Sequence, residues 1–346
     1  MDKVVVGMSG GVDSSVAALL LKKAGYDVIG VTLHLWDRID GVSVAEDAKI
    51  ICEKLEIKYN VVDFREEFKQ RVITPFVKEY IEGRTPNPCN LCNRYIKFEA
   101  LLEYAKSIGA KYIATGHYAK IAKDDVTGRY YITKSAADKK DQTYALYDLT
   151  QEQLSHVLMP LGDYTKEQIR EIAEENSLVN ANRKDSQEIC FVEDKDYAGF
   201  IEKHFNYISK PGNFEDNHGN VYGKHKGIIN YTVGQRRGLG LSLKKPMYVV
   251  RLEKATNKVI IGEEKELEKD SLICNNVNFM MIDKLVEPKK VMAKIRYNAK
   301  PVSATILPLE NENIKVVFDE NVKGVAPGQA CVFYIDNNVL GGGIIL

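Results

Sequence analysis

The run Val4-Val5-Val6-Gly7-Met8-Ser9-Gly10-Gly11-Val12-Asp13-Ser14-Ser15 decides the fold. Consecutive valines spell a buried strand. Two glycines then let the backbone approach an anion, and the apolar stretch from Val16 continues a helix whose leading N–H groups and positive dipole end point at whatever the loop holds. Ser9, Ser14 and Ser15 add hydroxyl donors. The run lacks the Gly-Lys-Ser/Thr ending of the loop that grips β- and γ-phosphates in kinases and GTPases. Two glycines alone would suit a plain strand-to-helix turn, but an acidic residue inside an anion loop needs a cation or a leaving group beside it. Asp13 suits a Mg²⁺-bridged pyrophosphate.

Working outward, Val28-Ile29-Gly30-Val31, Lys58-Tyr59-Asn60-Val61-Val62 and Tyr112-Ile113-Ala114 read as further buried strands. Helical faces lie between them, the clearest carrying Phe98, Leu101, Leu102, Ala105 and Ile108 and stopping at Gly109, a left-handed C-terminal residue. This βαβ rhythm predicts an α/β domain built on a doubly wound parallel sheet over residues 1–205. Leu33 and Gly116 fall beyond strand C-terminal ends, where such sheets place ligands. Thr165-Lys166-Glu167-Gln168 reads as a capping box opening a helix that ends near Asn176. Residues 206–264 are rich in turn signals, such as Lys210-Pro211-Gly212, His218-Gly219-Asn220 and Gly238-Leu239-Gly240, and predict a small central module of unassigned fold. Over 265–346, Val291–Tyr297, Ile314–Phe318 and Ala330–Tyr334 are strand-like, with Pro327-Gly328 and Asp336-Asn337-Asn338 as turns, which predicts a C-terminal antiparallel β-barrel.

Lys+Arg 48 against Asp+Glu 48 gives no overall charge bias, so any RNA surface must be local. The basic pairs Lys139-Lys140, Lys224-His225-Lys226, Arg236-Arg237 and Lys244-Lys245 read first as solvated surface. With no leader-like start and no apolar run long enough to cross a bilayer, the expectation is a cytoplasmic enzyme with reduced thiols.

The six cysteines are then buried, catalytic or metal-binding, not a disulfide framework. Cys89 and Cys92 lie in Thr85-Pro86-Asn87-Pro88-Cys89-Asn90-Leu91-Cys92-Asn93, at what reads as a helix start, where a thiol ionises more readily. Half of a zinc knuckle is the bland reading, but no second Cys-x-x-Cys follows. Cys190 sits in the polar stretch Lys184–Phe191, an odd place for a packing cysteine, whereas Cys52, Cys274 and Cys331 border apolar runs and read as core.

The nucleotide loop resembles that of the N-type ATP pyrophosphatases, which adenylate a substrate oxygen and release pyrophosphate. With Val61–Phe64, Thr85–Phe98, Ala114–Tyr118, Lys140–Gln142, Asp185–Phe191 and Tyr231–Gly238 added, nearly the whole chain resembles the tRNA-specific 2-thiouridylases. The resemblance implies an adenine nucleotide alpha hydrolase-like catalytic domain and a central tRNA-binding module. It implies a sulfurtransferase that adenylates the wobble uridine C2 carbonyl with ATP and Mg²⁺, then installs sulfur at position 34. Gly7, Met8, Ser9, Gly10, Gly11, Val12, Asp13, Ser14, Leu33 and Gly116 would hold ATP; Cys92 would be the nucleophile and Cys190 the persulfide carrier. Asn87, Pro88 and Cys89 would face the target base, and His117, Lys140, Asp141, Gln142, Arg296, Tyr297 and Gln329 would touch tRNA. Implied partners are tRNA and a sulfur donor, either a cysteine desulfurase or a sulfur-relay protein, with no membrane. A Cys92–Cys190 disulfide would form in the cycle and need a reductant.

The chain departs from the family at Cys89, where many members carry Asp. Three thiols, Cys89, Cys92 and Cys190, could instead hold a 4Fe–4S cluster with one iron open to sulfide. The rival readings are another adenylating pyrophosphatase acting on a small molecule, and a tRNA-binding sulfur carrier or iron–sulfur protein without catalysis.

Overall fold

The computed structural model describes residues 1–37, 44–137, 140–178, 189–192 and 194–346. Lys139 and residues 184–188 of the Cys190 motif lie outside the described residues. The first sheet is wholly parallel: β1 (Lys3–Gly7), β2 (Asp27–His34), β3 (Lys58–Asp63), β4 (Tyr112–Ala114) and β7 (Val157–Leu158) stand in the order β3-β2-β1-β4-β7. The winding therefore runs outward from β1 through β2 to β3, then restarts on the far side of β1. That reversal leaves a crevice between the C-terminal ends of β1 and β4, where open α/β sheets bind ligands. Four of these strands are those expected from the sequence; β7 spans two residues, too few to make a pattern.

Both faces are covered. Val16, Ala17 and Leu21 of helix Val12–Lys23 pack with Ala48, Ile51, Ile169 and Ala173 on one side. Phe98, Leu101, Leu102 and Ala105 fill the other, and Gly109 ends that helical stretch at φ +72°. The stretch differs from expectation in one respect: Cys92–Ala100 is π-helical and only Leu101–Ser107 is α-helical. The apolar stripe is compatible with either register. The Thr165–Gln168 capping box is present and opens helix Lys166–Glu175.

Between β4 and β7, β5 (Lys120–Lys123) and β6 (Tyr130–Thr133) form a hairpin. The central residues fold into a four-stranded sheet, β10 (Tyr248–Glu253), β11 (Lys258–Gly262), β8 (Gly212–Glu215), β9 (Val221–His225) in that order, with β11 and β8 parallel. The last strands, β12 (Glu268–Phe279), β13 (Lys289–Lys294), β14 (Val302–Pro308), β15 (Ile314–Lys323), β16 (Ala330–Ile335) and β17 (Asn338–Ile345), make an antiparallel barrel closed by the β12–β17 pairing. Ala330, Val332, Tyr334 and Val339 of the barrel share one apolar core with Tyr144, Tyr147 and the Phe98 face of the sheet domain. Barrel and sheet thus pack through one shared core. No helix among the described residues is long and apolar enough to cross a membrane.

Candidate active site

Helix Val12–Lys23 starts at Gly11, whose extended conformation supplies no side-chain cap. Its leading N–H groups are therefore available to an anion. Gly10 takes φ +67°, the left-handed turn that glycine makes at no steric cost. The Ser14 hydroxyl ties the loop into a ring: it accepts from Ser9 N at 3.2 Å and donates to the Gly11 carbonyl at 3.1 Å. Gly7, at the end of β1, packs near Leu33, which lies inside β2 and not beyond it.

Asp13 is not a bare acid. Lys166 Nζ donates to both of its carboxylate oxygens at 2.8 Å, and Tyr118 OH donates to Oδ1 at 2.7 Å. The Lys166 side chain is 7% exposed, and it occupies the first position of its helix, where a cation opposes the helix dipole. Its placement is explained by Asp13, not by local helix preference.

The loop after β4 presses on this helix start. A Cβ at Gly116 would lie 2.8 Å from both Asp13 C and Ser14 N. Gly116→Ala is therefore expected to displace the phosphate loop and raise the KM for ATP on the order of tenfold or more, while the melting temperature stays near wild type; an unchanged KM would show that the crevice is not the nucleotide site. Next to it, His117 Nδ1 lies 2.7 Å from Thr115 Oγ1 and the ring packs on Phe98. Burial, with the Lys97 charge adding to it, holds this imidazole neutral, far below the usual histidine range.

The charge of Lys97 acts on His117 and on the thiols Cys89 and Cys92 alike. The barrel grips the chain just before them: Thr85 N donates to Pro327 O at 2.7 Å, Gln329 Nε2 donates to Thr85 O at 2.7 Å, and Arg84 donates to Ile345 O at 3.1 Å. Asn87 then caps the short helix Pro88–Leu91 by accepting from Cys89 N at 3.1 Å. Cys89 is exposed and Cys92 is 7% exposed. Cys190, itself exposed, lies close enough to Cys92 to act on its thiol, so the fold unites two residues far apart in the chain.

The expected ease of ionisation at Cys92 is overturned. Burial pushes its thiol up to about 12; Lys97 opposes the shift, and Cys190 and Cys89 add to it. Cys92 is the residue after the short helix, at the head of the π-helical segment, not at a free helix N-terminus, and burial outweighs any dipole. Desolvation by the surrounding protein also raises the Cys89 thiol, with Lys97 opposing. The other cysteines are core, as expected. Cys52 packs so tightly on β2 that a Cβ at Gly30 would meet its sulfur at 2.5 Å, and Cys274 and Cys331 are fully buried in the barrel.

Family comparisons agree with this arrangement. Residues 2–194 match the tRNA methyl transferase HUP domain, residues 198–263 the tRNA methyl transferase PRC-barrel domain and residues 269–345 the Aminomethyltransferase beta-barrel domain. The chain is 53% identical to the tRNA-specific 2-thiouridylase of Clostridium perfringens strain 13 over 353 residues, covering 99% of this chain and 98% of that protein. The protein of the same name from Clostridioides difficile strain 630 is 53% identical over 352 residues, with 99% and 98% covered. The chain belongs to the tRNA-specific 2-thiouridylase family. A solved U34-tRNA thiolase from Methanococcus maripaludis, with its [4Fe-4S] cluster, is 20% identical with a TM-score of 0.35 over 58% of this chain and 63% of that one, too weak a likeness to add to the assignment.

Several of the residues that the 2-thiouridylase resemblance assigns to tRNA are held by contacts with one another or with the chain beside the thiols. Gln142 accepts from Tyr118 N at 2.9 Å, and Asp141 holds Thr143 through both oxygens. Tyr297 OH donates to Asp141 O at 3.4 Å, and Lys140 and Cys89 both lie within electrostatic reach of this phenol. Arg296 packs over Gly324, and Gln329 is spent on Thr85. The sequence reading missed four residues of this 2-thiouridylase-family site. Lys166 looks like an ordinary charged residue after a cap. Lys97, whose charge opposes the upward shift of the Cys92 thiol, looks like an ordinary helical lysine. The Asn90 side chain, between the two thiols, is buried with neither polar atom hydrogen-bonded. Lys294 lies 5.6 Å from the Tyr144 ring and 5.5 Å from the Tyr297 ring.

Proposed function

We propose that this 2-thiouridylase-family chain converts the wobble uridine of tRNA, at position 34, to 2-thiouridine. ATP adenylates the C2 carbonyl oxygen with release of pyrophosphate, and sulfur then displaces AMP. The observation that carries this reading is the convergence of Cys92 and Cys190 in a chain whose first helix offers uncapped N–H groups to a phosphate.

The carbonyl oxygen of a uracil is a poor leaving group until it becomes an adenylate. In this reading Gly7–Ser14, Leu33 and Gly116 hold ATP so that its α-phosphorus faces that oxygen. Mg²⁺ arriving with ATP supplies charge neutralisation at the pyrophosphate. With Lys166 on both Asp13 oxygens and Tyr118 on Oδ1, a lone pair of Oδ2 is left for that cation, so Asp13 fits as a single-oxygen ligand. Cys190 is exposed and accepts sulfur from a donor protein as a persulfide, consistent with a cysteine desulfurase or a relay protein. Cys92 thiolate attacks the inner sulfur, the S–S bond of the persulfide breaks, and hydrosulfide leaves to attack C2. The Cys92–Cys190 disulfide that remains is reduced by an external dithiol. Asn87, Pro88, Cys89 and His117 line the place for the splayed base, while Lys140, Asp141, Gln142, Arg296, Tyr297 and Gln329 form the tRNA edge.

Among the described residues no three His, Cys, Asp or Glu side chains stand together as a metal site. Cys89 and Cys190 nevertheless both act on the Cys92 thiol, and the persulfide route needs only Cys92 and Cys190. In this route Cys89, which also acts on the Tyr297 phenol, serves as a wall of the base pocket.

Incubated with a tRNA transcript, Mg²⁺·ATP and a persulfide donor, the protein is expected to form AMP, pyrophosphate and 2-thiouridine in equal amounts. ADP and orthophosphate as products would remove the adenylation reading. Sulfur uptake without any AMP would identify a carrier that lacks catalysis.

A further inference from the structure

Three consecutive residues after β4 serve three neighbours. Gly116 presses on Asp13 and Ser14, His117 packs on Phe98, and the phenol of Tyr118 reaches Asp13. Tyr118 is 2% exposed, and its ring belongs to the apolar core around helix Val12–Lys23. Packing would account for the ring but not for the hydroxyl. A carboxylate offers about four lone-pair sites. Lys166 Nζ occupies one on each oxygen of Asp13, at 2.8 Å in both cases, and Tyr118 OH occupies the second on Oδ1 at 2.7 Å. Lys166 alone would leave the two oxygens equivalent, each with one open site. The phenol breaks that equivalence and puts the open site on Oδ2.

The main chain of Tyr118 is held from a different part of the molecule. Gln142 Oε1 accepts from Tyr118 N at 2.9 Å, and Gln142 N donates to Tyr118 O at 3.3 Å, so one residue clamps both polar groups of the tyrosine backbone. Gln142 is half-buried, and among the described residues the Nε2 group of its carboxamide has no hydrogen-bond partner. The residue before it is fixed as well: the Asp141 carboxylate holds Thr143, and the Asp141 carbonyl accepts from Tyr297 of the barrel. Hydrogen bonds therefore run without a break from Gln142, through the rigid ring of a single buried tyrosine, to the acid of the phosphate loop. Packed, hydrogen-bonded chains of this kind are the physical means by which one site biases another.

We propose that Tyr118 is the positioning residue through which the segment Lys140–Gln142 sets the Asp13 carboxylate. This role rests on the adenylation reading and on the tRNA contacts proposed for Lys140, Asp141 and Gln142, and it joins the two. RNA seated on that segment firms the Gln142 clamp, the clamp holds the phenol on Oδ1, and Oδ2 stays turned out for the cation that accompanies the nucleotide. The acid is then best set when RNA is bound, so ATP cleavage follows the arrival of a uracil that can take the adenylyl group.

The test is Mn²⁺ binding in the presence of α,β-methylene-ATP, followed by electron paramagnetic resonance on the full chain with and without an unmodified tRNA transcript. Tyr118→Phe keeps the ring and loses only the hydroxyl. Its Mn²⁺ dissociation constant is expected to rise about tenfold, and the tightening that tRNA brings to the wild type is expected to disappear. Gln142→Met, which cannot accept from Tyr118 N, should shift Mn²⁺ binding in the same direction by about threefold, and Gln142→Glu, which keeps an acceptor there, should recover most of that loss. In pyrophosphate release Tyr118→Phe should need about tenfold more Mg²⁺ to reach half its maximal rate. A tyrosine that served packing alone would move the melting temperature and leave Mn²⁺ binding where it was. Should Tyr118→Phe not fold, the two Gln142 variants carry the comparison. Superimposable Mn²⁺ curves for wild type and folded Tyr118→Phe, or for Gln142→Met and Gln142→Glu, would overturn the inference. Failure of the wild type to release pyrophosphate with tRNA present would instead sink the adenylation reading, whatever the Mn²⁺ curves.

Discussion

Cys92→Ser and Cys190→Ser are each expected to reduce 2-thiouridine formation below detection, while Cys52→Ser, Cys274→Ser and Cys331→Ser continue to thiolate. The difference follows from where the sulfurs lie. Cys190 lies close enough to Cys92 to act on its thiol, and a serine hydroxyl can neither carry a sulfane sulfur nor attack one. Cys52 faces Gly30 across the interior, where burial pushes its thiol up to about 12, and Cys274 and Cys331 lie in the barrel core with no exposed surface. Serine at any of these three places a hydroxyl in an apolar site and costs about 1–3 kcal/mol of stability, with no effect on the sulfur step. The measurement is 2-thiouridine per tRNA at matched folded concentration. Full thiolation by Cys190→Ser with a protein donor would assign the sulfur carrier elsewhere.

Asp13→Ala is expected to abolish the release of pyrophosphate, and Lys166→Met to weaken it strongly. Asp13 ends in an ion pair with a lysine that is almost fully buried, so removing the carboxylate leaves Lys166 uncompensated behind the phosphate loop. Breaking such a pair from either side costs on the order of 3 kcal/mol. The two variants should nevertheless separate. Asp13→Ala loses the single-oxygen cation ligand and falls in kcat at any Mg²⁺ concentration. Lys166→Met keeps the carboxylate but frees its rotamer, so part of its loss is recovered by raising Mg²⁺. Pyrophosphate release by Asp13→Ala at the wild-type rate would show that the acidic loop residue has another purpose.

The phosphate loop was legible because its chemistry is local: strand, glycines, serines and acid follow one another within a dozen residues. The parallel strands were legible for the same reason, as were the Thr165 capping box and the turns of the barrel. Other features were not. The central sheet joins β11 to β8 in parallel, a pairing between distant strands that leaves no periodic signal in either. The convergence of Cys190 on Cys92 is a product of the tertiary fold, and only the family resemblance pointed to it. Lys166 reads as an unremarkable charge because its meaning depends on reaching Asp13, far back in the chain but in the same domain. The barrel's hold on Thr85, through Pro327 and Gln329, likewise joins segments no local pattern connects. The reading of Cys92 as readily ionised failed on burial, which no spacing of residues reveals.

The central claim is that this chain makes 2-thiouridine, and nucleoside mass spectrometry of bulk tRNA from cells with the gene deleted tests it most directly. Wobble 2-thiouridine nucleosides are expected to vanish on deletion and to return with the wild-type gene, but not with Asp13→Ala, Cys92→Ser or Cys190→Ser. Unchanged 2-thiouridine in the deletion strain, or its full return with Cys190→Ser, would contradict the account.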